Sequence, residues 1–242
     1  MVKEIIEKFH LNNTIVEKIY QKYLSPWYQK RQKHKHDAIM HKAMDAYGLE
    51  ALKIIYDIAK KHNVNIWLEY GSLLGAYRDK GFIPYDFDID LSMYHEDYSL
   101  EFERSLFDAG FSIRRMFYMV KNLDSSNRMM TEITLCYHGL YVDVFFNFRD
   151  QTNMRKLFVY TGKLGQEFTN RNIYSAKPTI VPDAPKKEID FMGIKFSIPE
   201  NANECLESMY GKTYMTPIRD WVGEEKYEYP YQEAYGEMYG AW

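Results

Sequence analysis

The chain predicts an α/β fold, a mixed and mainly antiparallel sheet flanked by helices. Three observations carry that prediction. Helix-period segments at 37–62 and 100–109 alternate with strand-like runs. Runs of β-branched and aromatic residues follow one another at 111–118, 131–138 and 140–148, bounded by turn residues. Two further apolar runs, 189–191 and 194–198, flank Met192-Gly193 in the manner of a hairpin.

The 242 residues suit one domain with an appendage, on a prior of about 150 residues per domain. Hydrophobic residues at 46% and charged residues at 27% are ordinary for a globular chain, and the length is enough to bury a core. The formal charge of −3 lacks the basic excess of a nucleic-acid binder. Aromatics make up 17%, with 22 tyrosines, a composition that suits sugar contacts or simply an aromatic core with polar tips. No apolar run approaches the roughly 20 residues that span a bilayer, and M-V-K-E-I-I-E-K-F-H is too charged for a signal peptide. Cys136 and Cys205 have neither metal spacing nor a disulfide framework. These features predict a cytoplasmic chain, at most peripheral to the inner face of a membrane.

In order along the chain, Ile5, Ile6 and Phe9, then Ile15, Val16, Ile19, Tyr20 and Tyr23, recur at helical spacing. Asn13 or Thr14 can cap the second of these helices. Residues 1–40 therefore read as an N-terminal helical extension, with Pro26-Trp27 as a break. The basic run from Lys30 to Lys35 is ordinarily a solvated helix face; the sharper reading is contact with anionic lipid or a charged glycan carrier. His34, His36 and His41 lack a fourth zinc ligand. Residues 37–62 read as one long helix with Met44, Leu52, Ile55 and Ala59 inward, which Gly48 divides or not.

Residues 66–93 organise the rest. Ile66–Tyr70 reads as a short apolar strand running into Gly71-Ser72, where glycine allows a tight turn and Ser72 is a good N-cap. The amides of such a helix start suit a phosphate. Gly81 is expected to end that helix, and Pro84 forces an extended segment before Asp86-Phe87-Asp88-Ile89-Asp90-Leu91. On a strand, a period of two puts Asp86, Asp88 and Asp90 on one face and the apolar residues on the other. Carboxylates stacked in that way repel one another unless a cation sits among them, and hard oxygen ligands suit Mg²⁺ or Mn²⁺. An isolated Asp-x-Asp is usually a solvated edge strand. Here the strand, the Gly-Ser turn and the acids occur together, and the context favours catalysis.

The run G-S-L-L-G-A-Y-R-D-K-G-F-I-P-Y-D-F-D-I-D resembles the signature of the LicD/fukutin-related phosphotransferases, which reads close to G-T-L-L-G-A-x-R-x-x-G-F-I-P-W-D-D-D-I-D. This chain has Ser72 for Thr, Tyr85 for Trp and Phe87 for one acid, and it keeps Asp88 and Asp90. The resemblance implies a nucleotidyltransferase-like fold. It implies transfer of phosphocholine or a similar phospho-alcohol from a CDP-activated donor to a hydroxyl of a glycan or lipid-linked glycan, with Mg²⁺ or Mn²⁺. It places Gly71, Ser72, Arg78 and Lys80 at the donor phosphate. Asp88, Asp90 and Asp143 are then the catalytic and metal-binding acids, with Asp86 as a supporting ligand.

After this motif, residues 100–109 form an amphipathic helix with Phe102, Leu106 and Phe107 inward, ended by Gly110. His138-Gly139 marks a tight hairpin turn. In Y-V-D-V-F-F, Asp143 stands alone among apolar residues, costly to bury unless paired or metal-bound. Either it faces water on an edge strand, or it lies beside Asp88 and Asp90. The resemblance supports the second, with Asp143 as a ligand or as the acceptor of the incoming hydroxyl's proton. Residues 148–185 read as loops and short strands carrying Arg149, Arg155, Lys156, Lys163 and Arg171, each singly a surface charge. Pro199 stops the second hairpin, Asn201 or Asn203 caps a helix, and Gly211 ends it. The catalytic domain is thus expected over 41–217, with 218–242 as a C-terminal tail. Two other functions compete: a small-molecule nucleotidyltransferase, and a non-catalytic ligand-binding module of the same fold.

Overall fold

A computed structural model describes residues 25–120, 128–149, 153–163, 173–218 and 234–240; the helices expected within 1–24, and Arg171, lie outside these. The chain divides into two compact units, 1–42 and 43–242. One helix, α1 (Ser25–Lys61), runs without interruption through Gly48, and Pro26 falls in its first turn, where a missing N–H costs nothing. A Cβ on Gly48 would meet the Phe82 ring at 3.1 Å, so glycine lets that loop lie close to the helix.

The second unit is built on an eight-stranded sheet in the order β1-β2-β5-β4-β3-β10-β7-β6. Strand β1 (Ile66–Leu68) is antiparallel to β2 (Asp88–Tyr94), pairing Leu68 with Leu91. Strand β2 is parallel to β5 (Leu140–Arg149), with Asp90 opposite Asp143. Strands β3 (Ser112–Val120) and β4 (Arg128–Tyr137) continue the sheet antiparallel. The turn from β4 to β5 is His138-Gly139, both at positive φ (49° and 86°), as a two-residue hairpin of right-handed twist requires. A separate hairpin joins β8 (Lys186–Phe191) to β9 (Ile194–Pro199) through Met192-Gly193, again both positive. One face of β2 carries Ile89, Leu91 and Met93, all fully buried against Leu52, Ile55 and Ala59 of α1 and against Val142 and Val144 of β5. Full burial of each large aliphatic side chain stabilises the fold by about 1.5–3 kcal/mol. The opposite parity leaves Asp88 and Asp90 on the other face.

Several elements depart from expectation. The stretch 148–185 holds two long strands, β6 (Met154–Lys163) and β7 (Ile173–Pro182), rather than loops and short strands. Pro178 and Pro182 are tolerated because β10 pairs with β7 only at 173–176, so beyond that point β7 has one partner. The expected tail contributes β10 (Ala234–Gly240), which lies between β3 and β7. The end of β5 also pairs with β6, Phe148 opposite Lys156, so the sheet curls round into a ring. A short helix, α2 (Tyr70–Leu74), follows β1 and widens into a π-turn at Gly75–Asp79. It ends at Lys80, in the left-handed region at φ 61°, one residue before the expected Gly81. Helix α3 (Leu100–Asp108) is capped by Ser99 Oγ, which accepts the Phe102 N–H at 3.2 Å. Phe102 and Leu106 are buried as expected, whereas Phe107 is exposed. Helix α4 (Ala202–Tyr210) follows Asn201 and ends at Gly211. Among the described residues no helix is long and apolar enough to cross a membrane.

Candidate active site

Three acids meet where β2 begins. Asp86 sits just before the strand, its N–H bonded to the Ile83 carbonyl at 2.9 Å. Asp88 and Asp90 follow on one face of β2. Each of the three offers a carboxylate oxygen within 4.8 Å of the others. Oxygens sharing one Mg²⁺ at about 2.1 Å lie up to roughly 4 Å apart, so this hard-oxygen set fits a divalent ion after small rotamer changes.

Gly71 closes this site from the other side. Its N–H donates to Asp90 Oδ2 at 2.9 Å. A Cβ on it would stand 2.5 Å from Asp86 Oδ2 and 3.1 Å from Asp90 Oδ2, which only a glycine avoids. Ser72 is not the N-cap; Glu69 holds that position. The buried Ser72 hydroxyl instead accepts the Asp90 N–H at 2.9 Å, tying α2 to the catalytic strand. The turn's polar groups thus serve the acids directly.

Asp143 completes a row that crosses four strands: Asp90 on β2, Asp143 on β5, Thr134 on β4 and Arg115 on β3 are successive partners. The Thr134 hydroxyl donates to Asp143 Oδ1. Arg115 donates from Nε to Thr134 Oγ1 at 2.7 Å and lies 3.5 Å from Asp143 Oδ2. The sequence singled out neither residue. A bulge in β3 between Ile113 and Arg115 puts Arg115 on this face, and the alternation of Arg114-Arg115 gives no sign of it. Glu132, two residues from Thr134 on β4, adds a further buried acid beside the row.

Of the two cations expected at the donor phosphate, Arg78 lines a cleft of about 200 Å³ together with Gly71, Asp86, Tyr85, Tyr210 and Tyr214. Its guanidinium is engaged with Asp79 at 2.8 and 2.9 Å and with the Tyr214 carbonyl at 3.2 Å. Lys80 is exposed, bonds the Tyr77 carbonyl at 2.8 Å, and is not part of the cleft wall. Tyr210 and Tyr214 were not singled out as cleft residues by sequence; α4 and the turn after it bring them there.

Burial raises the proton affinity of all these acids, and neighbouring carboxylates add to it at Asp88, Asp90, Asp143 and Glu132. Asp88 is pushed up to about 7, chiefly by burial and then by Asp86. Asp143 rises to about 6, burial outweighing the Arg115 charge that opposes it. Asp90 is raised well above its usual range by burial, with Asp88, Asp86 and Asp143 adding to it. An acid whose folded value exceeds its unfolded 3.8 favours folding below 3.8, and this support is lost as pH rises through the folded value. In EDTA, the urea midpoint is therefore expected to be higher at about pH 5 than at about pH 8, and Asp88→Asn should flatten the difference. An identical pH slope in wild type and variant would remove Asp88 as the source.

The model of the LicD family, described as LicD/FKTN/FKRP, nucleotidyltransferase domain, matches residues 63–201. The human ribitol-5-phosphate transferase FKTN is 28% identical over 175 residues, covering 71% of this chain and 34% of the relative. The mouse ribitol 5-phosphate transferase FKRP is 44% identical over 48 residues, covering 20% of this chain and 10% of the relative. The chain thus spans about a third of the length of the FKTN relative. Among solved structures, the lincosamide antibiotic adenylyltransferase LnuA aligns over 65% of this chain and 83% of its own at 14% identity, with a TM-score of 0.39, too low to carry an argument.

Proposed function

Because the chain belongs to the LicD/FKTN/FKRP nucleotidyltransferase-domain family, we propose that it is a metal-dependent phosphotransferase. It moves a phospho-alcohol from a CDP-activated donor to a hydroxyl of a glycan. The observation that carries this reading is the convergence of Asp86, Asp88 and Asp90 within 4.8 Å beside the Gly71 turn. Asp86, Asp88 and Asp90 would hold a divalent cation, which would supply positive charge to offset the negative charge of the phosphoryl group.

The chain's own groups divide the remaining work. Asp143 has one oxygen bonded by Thr134 and the other facing Arg115, which fixes its orientation. With its proton affinity near 6, it is suited to take the proton of the acceptor hydroxyl. Arg78, Tyr85, Tyr210 and Tyr214 give the cleft a polar and aromatic lining, suited to a polyol or sugar. The relatives named for ribitol-5-phosphate transfer make ribitol phosphate the first group to test, ahead of phosphocholine.

The experiment measures CMP release from CDP-ribitol, CDP-glycerol and CDP-choline, with Mg²⁺, with Mn²⁺ and with EDTA, alongside pyrophosphate release from CTP and ATP. Metal-dependent CMP release from at least one CDP-alcohol is expected. Pyrophosphate release alone would make the protein a nucleotidyltransferase, and inertness to every donor, with no thermal stabilisation by any, would make it a binding module.

A further inference from the structure

Behind the Gly71 turn lies an ion pair that the proposed chemistry does not use. Glu69 and Arg155 are both fully shielded from solvent. Arg155, on β6, donates from Nη1 and Nη2 to the two carboxylate oxygens of Glu69, at 2.5 and 2.9 Å. The Trp67 indole N–H supplies a third bond to Glu69, at 2.9 Å. Arg155 is itself anchored by Asn147 Oδ1 at 2.6 Å, and Asn147 lies on β5 with the same parity as Asp143. The Cys205 sulfur of α4 is 3.8 Å from Nη2, while Nε has no hydrogen-bond partner among the described residues. A sequence reading takes Arg155 for a surface charge. In the fold it joins β1, β5, β6 and α4.

A buried ion pair is a poor way to add stability, since desolvating two charges cancels most of their attraction and apolar replacements often do as well or better. Its place suggests another use. The Glu69 N–H donates to the Asp90 carbonyl at 3.0 Å, and the Glu69 carbonyl accepts the Leu73 N–H at 2.9 Å. The next residue, Tyr70, has φ 38°, a value a bulky side chain adopts only when its surroundings hold it there. Gly71 then gives its N–H to the Asp90 carboxylate. The Glu69 side chain therefore clamps the residue from which the strained step toward the site departs.

We infer that Glu69 and Arg155 form a positioning pair that holds the Tyr70–Gly71 turn against Asp90, and that folding does not depend on it. The inference rests on Asp90 being a metal ligand, so the test separates the two ideas. In the double variant E69Q/R155M, the glutamine oxygen still accepts from Trp67 and methionine fills the space of the arginine stem. Its urea midpoint should equal or exceed that of the wild type. Its Mn²⁺ dissociation constant should rise about tenfold or more, as when support behind a metal ligand is removed. Amide exchange at Gly71 should accelerate by a similar factor. R155K, which keeps the charge but loses the two-pronged contact, should fall between. Unchanged Mn²⁺ affinity and exchange would overturn the inference, and so would an unfolded double variant, since the pair would then be structural. If the wild type itself fails to bind Mn²⁺, the metal reading falls, and exchange at Gly71 alone decides the role of the pair.

Discussion

Asp88→Asn and Asp90→Asn are each expected to lower turnover of a CDP-alcohol by about 100-fold or more, without loss of fold. Asparagine keeps the volume and removes the charge. At position 90 it can still accept the Gly71 N–H, so the turn survives and the effect reports electrostatics rather than architecture. At position 88 an amide can donate to Asp86, and it removes the carboxyl that burial and the neighbouring Asp86 charge raise. Without metal, both variants should therefore unfold at higher urea than the wild type near neutral pH. With Mg²⁺ the order should reverse, because the wild type gains binding free energy that the variants lack. Single-turnover rates and urea midpoints on the same preparations check this. Wild-type turnover in either variant would rule out the carboxylate mechanism.

Gly71→Ala is the second change with a large expected effect. The methyl group would stand 2.5 Å from an oxygen of Asp86, closer than any relaxed contact, so the turn or the acid must move. Either movement disturbs the two carboxylates that face Gly71, and displacement of about 1 Å in a reacting constellation costs on the order of 100-fold. The loss should appear in turnover and in Mn²⁺ affinity together, with only a modest fall in the thermal midpoint. Gly139, with no heavy atom near its missing Cβ, provides a contrast: its φ of 86° makes Gly139→Ala a fold-stability change with no direct effect on metal affinity. Equal Mn²⁺ affinity in Gly71→Ala and wild type would show that the turn has slack.

Local chemistry made much of the fold legible in the sequence. His138-Gly139 and Met192-Gly193 announced their hairpins because few residue pairs accept two positive φ angles. The alternation from Asp88 to Leu91 announced the acid face because a strand has a period of two, whereas Asp86 joins it from the turn before the strand. The juxtaposition of Asp143 with Asp90 was one of two readings that the cost of burying a lone carboxylate left open, and the family resemblance favoured it. What stayed hidden depends on tertiary partners. Arg155 looks like any loop arginine until Glu69 is found beside it, 86 residues away. Arg115 is selected over Arg114 by a bulge that leaves no compositional mark. Strand β7 carries prolines that argue against a strand unless its second neighbour is known to stop short. The helix expected to be capped by Ser72 begins at Tyr70, and the Ser72 hydroxyl accepts the Asp90 N–H instead, a partner that only the fold brings near.

The curl of the sheet has a consequence for how the protein avoids sticking to itself. A strand end that offers unpaired N–H and C=O groups is a template for another chain, and open sheets must blunt two such margins. Here β6 is paired with β7 on one side and, at Arg155 and Lys156, with β5 on the other, so closure consumes part of one margin of the sheet. The other margin is β1, only three residues long, and the β8–β9 hairpin lies next to it. Among the described strands, closure shortens the open margin without removing it, since 157–163 of β6 and 177–182 of β7 keep one strand partner each. Closure depends on β10 joining β3 to β7, residues far apart in the chain, which is a slow kind of pairing to form. Until it forms, β3 exposes the backbone of 115–120 and β7 that of 173–176, so self-association should be stronger during refolding than after β10 is in place.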